Sequence, residues 1–298
     1  MDLTSLALVV ITLGAATING ALGYGFSSIT VPLALLFLSN RVLNPALVLI
    51  EVALNAYVLF VNRASIPAVW RRTIPIIIGL TPGIVVGTML ITSLSPAWMK
   101  LGTYACLLPL IVLQAAGLRR PIRSERSAGL IFGGGLGVLY SVTTISGPPL
   151  AVALSNQGLT KRDFRAALGI VRLAEASLTA VAYFWSGMFT AESLGLIPYI
   201  LPSVAIGVPI GAFVIRQIRA ETFRRVCMSF DAWIVAFGCS IVIRDLHLLQ
   251  GPAAFLILAV VGAIDIVLLA RFFSAPFPLP VAERSYSGTT LRPSRSSP

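Results

Sequence analysis

Long apolar runs that are almost free of charge dominate this chain of 298 residues. Several approach or exceed the roughly 18 residues that an α-helix needs to cross the hydrocarbon core of a bilayer. Charged residues make up 11% of the sequence, whereas a soluble domain carries about 25% because its surface must face water. The sequence therefore predicts an all-α polytopic membrane protein that has the lipid bilayer as a partner.

The net charge of +11 would suggest nucleic-acid binding in a soluble protein. In a membrane protein it is explained by arginine-rich loops that stay in the cytoplasm, so we predict no nucleic-acid partner. Met1 is followed by Asp2, without a basic segment. This favours a first membrane segment over a cleavable signal peptide.

Two of the apolar runs are interrupted by polar and helix-breaking residues. Asn19–Gly25 interrupts the run Ser5–Leu38, and Ser141–Pro149 interrupts the run Ala128–Leu154. In the second run each flanking piece has at most about 14 residues, too short at ~1.5 Å per residue to cross a core of ~30 Å. We therefore predict a re-entrant or broken helical hairpin at each interruption. The continuous runs predict seven further spans: Pro45–Val61, Ile74–Ile91, Leu101–Gly117, Ala166–Trp185, Leu194–Ile215, Val226–Ile243 and Pro252–Phe273.

The two halves of the chain repeat each other. Gly20–Gly23 matches Gly134–Gly137, and Val31–Ala34 matches Pro148–Ala151. An ordered series at a separation of 124 pairs Glu51 with Glu175, Leu54 with Leu178, Ala56 with Ala180, Phe60 with Phe184, and Gly83 and Gly87 with Gly207 and Gly211. Single matches mean little in so apolar a chain, but the ordered series indicates a duplication.

Basic residues orient the two copies. They cluster at Arg63, Arg71 and Arg72; at Arg119, Arg120, Arg123 and Arg126; at Lys161, Arg162 and Arg165; at Arg216, Arg219, Arg224 and Arg225; and in the tail at Arg271, Arg284, Arg292 and Arg295. If each interrupted run enters and leaves by the same face, all of these clusters become cytoplasmic. The N-terminus then lies outside and the C-terminus in the cytoplasm.

These patterns divide the chain into a first transmembrane repeat (1–118), a cytoplasmic linker (119–127), a second transmembrane repeat (128–244), a final transmembrane helix (245–274) and a tail (275–298). The tail is rich in Ser, Pro and Arg, which predicts disorder. Each repeat has a hairpin and three spans, an odd number, so the repeats are predicted to be inverted. Inverted repeats are the usual architecture of secondary carriers.

The paired breaks are the strongest candidates for a binding site. A half-helix that begins inside the membrane directs free N–H groups and a positive dipole end at the midplane, where hydroxyl donors complete a cradle for an anion. The candidate binding residues are Ser27, Ser28, Thr30, Thr143, Thr144, Ser146 and Gly147. The helix-breaking residues are Gly20, Gly23, Gly25, Pro32, Pro148 and Pro149, with each proline at the predicted start of a half-helix. As an alternative, Gly and Ser merely allow close helix packing in lipid.

Arg172 is a basic residue well inside a predicted span, where an unpaired charge is costly. Glu175 shares its helix face and could form an internal pair with it; alternatively, Arg172 attracts an anion while Glu175 tunes it or carries a proton. Glu51, the repeat mate of Glu175, has no opposite charge near it in sequence. Burial without a partner favours a neutral carboxyl group, so Glu51 is a candidate for proton coupling or a group bonded across helices. Asn55, one turn further on, is a further candidate for substrate binding.

The motifs of common enzymes are missing from the sequence. There is one histidine, His247, and no phosphate-binding glycine loop with its lysine. The cysteines Cys106, Cys227 and Cys239 lie in apolar runs without the spacing of a metal site. We therefore predict neither an enzyme, nor a cofactor, nor a bound metal.

The glycine and proline motifs also carry a resemblance to a known family. Gly20–Gly25 leading to Pro32, and Gly133–Gly137 with Ser146–Pro149 in the second half, resemble the sulfite exporter TauE/SafE family. The likeness runs through nearly the whole membrane portion. It implies an inner-membrane carrier, an exporter of sulfur-containing anions such as sulfite, sulfonates or thiosulfate.

Together these observations predict a secondary transporter with its anion site between the two hairpins, at the membrane midplane. Two other classes are weighed against it. An anion channel would use the same cradle without coupling to protons, and a membrane-embedded enzyme or scaffold would need catalytic clusters that the loops lack. The sequence allows a homo-oligomer without setting its size.

Overall fold

The computed structural model describes residues 3–23, 25–115, 125–155, 159–215, 217 and 220–274, which form helices and turns with no strand. Residues 119–124 of the predicted linker and the predicted tail, 275–298, lie outside the described residues. The α-helices are α1 (Leu3–Leu22), α2 (Phe26–Ala34), α3 (Asn40–Val61), α4 (Ile66–Ser93), α5 (Pro96–Ala115), α6 (Glu125–Thr143), α7 (Gly147–Ser155), α8 (Lys161–Trp185), α9 (Ala191–Leu194), α10 (Ile197–Val214), α11 (Ala220–Asp245) and α12 (Leu256–Ser274).

Seven helical segments of the described chain are long and apolar enough to cross a membrane. They comprise α1, α3, α8 and α11, together with α4, α10 and α12, each extended by a short helix before it. The helix α5 covers most of another predicted span. The predicted all-α polytopic class is therefore confirmed.

Both predicted breaks are present and are short. Between α1 and α2, Gly23 has φ 82° and Gly25 has φ 109°, a left-handed conformation that glycine adopts without a Cβ clash. Between α6 and α7 the chain leaves the helix at Thr144, which has φ 55°. Each break is followed by a nine-residue helix, α2 or α7, too short to cross a bilayer alone.

Two details of the predicted hairpins are wrong. Gly20 lies inside α1, where its missing side chain lets Val208 approach; a Cβ would be 2.1 Å from that carbonyl oxygen. Pro32 is near the end of α2, which begins six residues earlier because Gly25 turns the chain there. The apolar part of α6, Gly129–Thr143, is shorter than the candidate spans, as predicted. Within it, Gly133 and Gly137 lie close to backbone carbonyls of α4. Pro148 and Pro149 do lie in the first turn of α7, as predicted.

The glycines matched between the two repeats lie at corresponding helix interfaces. In α4, a Cβ at Gly83 would be 2.1 Å from the carbonyl oxygen of Gly134 in α6. In α10, a Cβ at Gly207 would be 2.8 Å from the carbonyl oxygen of Leu13 in α1. Without a hydrophobic drive between helices in lipid, backbones this close supply the van der Waals contact that holds membrane helices together. The α4–α6 and α1–α10 pairs therefore share one packing principle.

The matched helices α3 and α8 cross at the centre and run antiparallel. Gly169, near the start of α8, lies against Leu59, near the end of α3. At their opposite ends, Tyr183 of α8 and Asn44 of α3 both donate hydrogen bonds to carbonyls at the end of α6. Inverted repeats require matched helices to be antiparallel; the inversion of the complete repeats stays a prediction.

A buried carboxylate attaches the last helix to the rest of the protein. Asp265 of α12 accepts hydrogen bonds from Ser229 (2.9 Å) and Trp233 (3.1 Å) of α11, and Arg225 approaches it at 3.4 Å. A buried charge needs such partners to offset its desolvation. This network fixes the position of α12 against α11.

We predict that Gly83→Ala destabilises the α4–α6 interface. The added methyl group has no room beside the Gly134 carbonyl, and overpacking of this kind costs about 1–3 kcal/mol. The midpoint of thermal unfolding in detergent should fall. The matched control is Gly102→Ala in α5, where nothing lies within 4 Å of the added atom; an equal loss in both variants would contradict the prediction.

Candidate functional site

Glu51 lies at the centre of the protein, in the middle of α3, with no solvent exposure. One carboxylate oxygen accepts hydrogen bonds from the hydroxyl of Ser27 (2.5 Å) and from the Arg172 guanidinium (2.9 Å). The other accepts from the Tyr140 hydroxyl at 2.7 Å. Side chains from α2, α6 and α8 therefore converge on one carboxylate of α3.

The salt bridge of Arg172 joins α8 to α3, which belong to different predicted repeats. The sequence suggested Glu175 as its partner, but the guanidinium bonds to Glu51, which the sequence left without a counter-charge. The reason is the antiparallel crossing, which brings α3 beside this face of α8. Both side chains are almost fully buried, at 3% and 0% exposure. Removing one partner of such a pair would leave an uncompensated buried charge.

Glu175 is the second buried carboxylate of this region. The Ser146 hydroxyl donates a very short hydrogen bond to one of its oxygens, and the other has no partner among the described residues. Arg172 and Glu51 are near enough for their charges to act on it. Two carboxylates therefore lie within electrostatic range of one guanidinium, which leaves the cluster with a net negative charge when both are ionised.

The short helices α2 and α7 are related to Glu51 and Glu175 by equivalent hydrogen bonds. Ser27 lies in the first turn of α2, and Ser146 immediately precedes α7. Each donates its hydroxyl to the glutamate of the long helix that follows. The positive dipole ends of α2 and α7 favour negative charge at the same places. In this structure, the hydroxyls of Ser27 and Ser146 at the paired breaks donate hydrogen bonds to two carboxylates. The sequence predicted that these hydroxyls bind an anion.

The remaining predicted site residues are buried near the breaks or on α3. The hydroxyl of Thr143 donates to the Leu139 carbonyl of α6, and that of Thr144 donates to the Thr143 carbonyl at the end of α6, so both are engaged locally. Among the described residues, the Thr30 hydroxyl, the Asn55 amide nitrogen and the Arg172 Nε have no hydrogen-bond partner. Ser28 is also buried, and Gly147 is the first residue of α7.

Sequence reasoning missed the side chains that cap the end of α6. The Asn44 amide donates to the Val142 carbonyl at 2.7 Å, and the Asn40 amide does so at 3.3 Å. Tyr183 donates to the neighbouring Ser141 carbonyl. The last carbonyls of a helix have no partners within it, so these donors stabilise the second break.

A signal for part of this network was present in the sequence. Asn40, Asn44, Glu51 and Asn55 recur at intervals of four and seven residues, which places them along one face of a helix. A polar stripe on an apolar span indicates a face turned toward the protein interior. No comparable signal marks Tyr140, whose partner belongs to the other repeat.

The long apolar helices, the paired breaks and the buried charges between them are typical of a polytopic membrane transporter. Residues 8–237 match the protein family described as Sulfite exporter TauE/SafE, so the chain belongs to that family of membrane transporters. The resemblance carried by the glycine and proline motifs is thereby confirmed. The match ends before α12. Neither curated protein sequences nor solved structures give a match.

We predict that Tyr140→Phe destabilises the fold while preserving its shape. The substitution removes one of the hydrogen bonds to Glu51, and a bond to a charged group contributes about 1.5–3 kcal/mol. Thermal unfolding in detergent should show a lower midpoint. Tyr57→Phe is the control, because Tyr57 is 60% exposed on the same protein; the prediction fails if the two variants unfold alike.

Proposed function

We propose that the protein is a secondary transporter that exports a small sulfur-containing anion, such as sulfite, a sulfonate or thiosulfate. The observation that carries this proposal is the buried guanidinium of Arg172 between the two helix breaks. A charge this deep in a membrane protein is costly and marks a substrate or ion pathway. Membership of the TauE/SafE family supports the class of cargo.

The chemistry of the site suits an oxyanion. The Arg172 Nε, the Asn55 amide nitrogen and the Thr30 hydroxyl are donors without partners among the described residues. Oxyanions accept hydrogen bonds only, and a planar guanidinium matches the geometry of sulfur oxyanions as it does that of carboxylates and phosphates. In this proposal Arg172 supplies the charge, and Ser27, Ser28, Thr143, Thr144, Ser146 and the N–H groups near Gly147 complete the cradle as the breaks adjust.

Charge balance favours coupling to protons. With Glu51 and Glu175 ionised, the cluster has one positive and two negative side chains. Adding an anion at about 4 Å from a like charge costs about 4 kcal/mol at an effective dielectric of about 20. Protonation of one glutamate removes that repulsion, so the anion and a proton would bind together. Glu51 and Glu175 are the proposed proton carriers.

The same proposal includes the membrane in which the protein lies and the orientation of the chain in that membrane. The arginine-rich loops would face the cytoplasm of the inner, or plasma, membrane, with the N-terminus outside and the C-terminus inside. Arg165 at the start of α8 and Arg63 after α3 would mark the cytoplasmic ends of these helices. Export would then move the anion away from this basic face.

We predict that Arg172→Ala abolishes anion flux in proteoliposomes. The variant removes the charge that attracts the anion and leaves Glu51 without its partner. Arg162→Ala is the matched control, because Arg162 is an exposed residue at the start of the same helix. To separate transport from folding, the double variant Arg172→Gln/Glu51→Gln keeps hydrogen-bonding groups and should fold yet not transport. Full flux in Arg172→Ala would overturn the proposal.

We predict that an imposed pH gradient drives uphill accumulation of labelled sulfite or a sulfonate, and that Glu175→Gln loses this drive but keeps downhill flux. Glutamine retains hydrogen bonding without carrying a proton. Glu192→Gln, at an exposed glutamate of α9, is the control. Flux that ignores the pH gradient and far exceeds carrier rates would instead identify an uncoupled anion channel.

A further inference from the structure

Two cavities lie beside the central helices. The larger, of about 530 Å³, lies between α3 and α10 and is also lined by α1 and the start of α8. The smaller, of about 390 Å³, lies between α4 and α8. The helix α3 is the repeat mate of α8, and α10 is the repeat mate of α4. The two cavities therefore occupy corresponding places in the two repeats.

The correspondence extends to individual residues. Nine of the eleven residues that line the smaller cavity lie 124 positions from a residue that lines the larger one. Examples are Ala182 with Val58, Leu178 with Leu54, and Thr81 with Ala205. Unrelated surface clefts would not share their linings in this way, so the two cavities are two forms of one feature.

The cavities lie toward opposite ends of the central helix pair. Asn62 and Arg165 line the larger cavity, at the end of α3 and the start of α8. Trp185 and Ser186 line the smaller one, at the end of α8. Because α3 and α8 are antiparallel, these positions lie at opposite ends of the pair. The end of the helix pair that carries Arg63, after α3, and Arg165, at the start of α8, is called the arginine-rich face here. The larger cavity lies toward this face.

The larger cavity penetrates further toward the centre. It is lined by Ile50, which adjoins Glu51, and by Ala53. Their repeat mates, Ala174 and Ser177, are not among the described residues that line the smaller cavity. The larger cavity also reaches Gly23 at the first break and Asn19, a buried side chain whose carbonyl oxygen has no partner among the described residues.

The smaller cavity stops where α4 packs against α8. Leu80 of α4 is fully buried in a core with Leu168 and Val171 of α8. Its repeat mate, Val204 of α10, is also buried, at 8% exposure, but borders the larger cavity, whereas Leu80 does not line the smaller one. The same surface is therefore closed in one repeat and open in the other.

We propose that these cavities are the two access vestibules of one carrier, and that the structure is open toward the arginine-rich face and closed toward the other. This inference rests on the proposed function. Transport would exchange the two packings: α10 would close on α3 as α4 separates from α8, so that the smaller cavity deepens toward Glu175 while the larger one is sealed. The glycine-packed pairs α1–α10 and α4–α6 would move as units, because their backbones are in direct contact.

The charges along the larger cavity fit an anion that enters through it. Arg165 lies at its outer end, and no acidic residue is among its described lining residues. A cationic mouth raises the local concentration of anions. Beyond Arg165, none of the described residues that line this cavity carries a charge that would trap the anion on its way toward Arg172.

Matched cysteine variants test this inference. In a background with Cys106, Cys227 and Cys239 replaced, Ala53→Cys and Ser177→Cys place thiols at repeat-related positions. A negatively charged, membrane-impermeant thiol reagent is applied to each face of sealed vesicles without substrate. We expect Ala53→Cys to react from the arginine-rich face and Ser177→Cys to react at least about tenfold more slowly, because a minor conformation is populated at about 10% or less. A transported anion with a pH gradient should narrow this difference.

Two controls make the result decisive. Ile206 lies next to the cavity-lining Ala205 but does not line the cavity, and 57% of it is exposed. The variant Ile206→Cys should therefore react only with a membrane-permeant reagent.

Ile50→Cys and Ala174→Cys form a second matched pair if the first fails to fold. Labelling of Ala53→Cys only by the permeant reagent would identify a cleft open to lipid, and equal rates for both members of a pair would exclude alternate access; either overturns the inference. Since the first labelling needs no substrate, it can succeed even where no anion flux is found.

Discussion

The buried salt bridge between Glu51 and Arg172 is the interaction on which the centre of the structure depends. Neither charge could be buried alone, because removing one partner of such a pair costs about 3–5 kcal/mol. The pair joins α3 to α8 and hence one repeat to the other. Through the hydrogen bonds of Ser27 and Tyr140 it also fixes α2 and α6 around the same carboxylate. The two hairpins are therefore positioned by a polar centre and not by apolar packing alone.

The helix pairs around this polar centre are held together by close backbone packing instead. The pairs α1–α10 and α4–α6 are held by glycines that allow direct backbone contact, as at Gly83 and Gly207. Such interfaces are rigid because no side chain can adjust within them. The boundary between α3 and α10 contains the larger cavity, whereas the matched boundary between α4 and α8 contains the smaller one and is packed around Leu80. In the carrier that we propose, a rigid frame with two unequal copies of the same boundary would provide the bistable element that alternating access requires.

Several features of the site were accessible from the sequence because they are local or periodic. The breaks were marked by Gly23, Gly25 and the proline pair of α7, whose backbone preferences need no tertiary context. The repeat was visible because Glu51 and Glu175 stand in an ordered series of matches. The partner of Arg172 could not be found in this way. A helix face offers Glu175 at close spacing, but the observed partner is 121 residues away and is reached only where α8 crosses α3.

The sequence by itself determined the helical membrane fold, the two breaks and the family, and it predicted the duplication, because apolar length, glycine and proline placement and ordered matches are properties of the chain. The tertiary structure decided which charges meet. It directed Arg172 to Glu51 and Ser146 to Glu175, and it placed Val204 at the border of the larger cavity, whereas the matching Leu80 does not line the smaller one. The physical reason is that such pairings depend on the crossing of helices distant in the chain, which no local preference specifies.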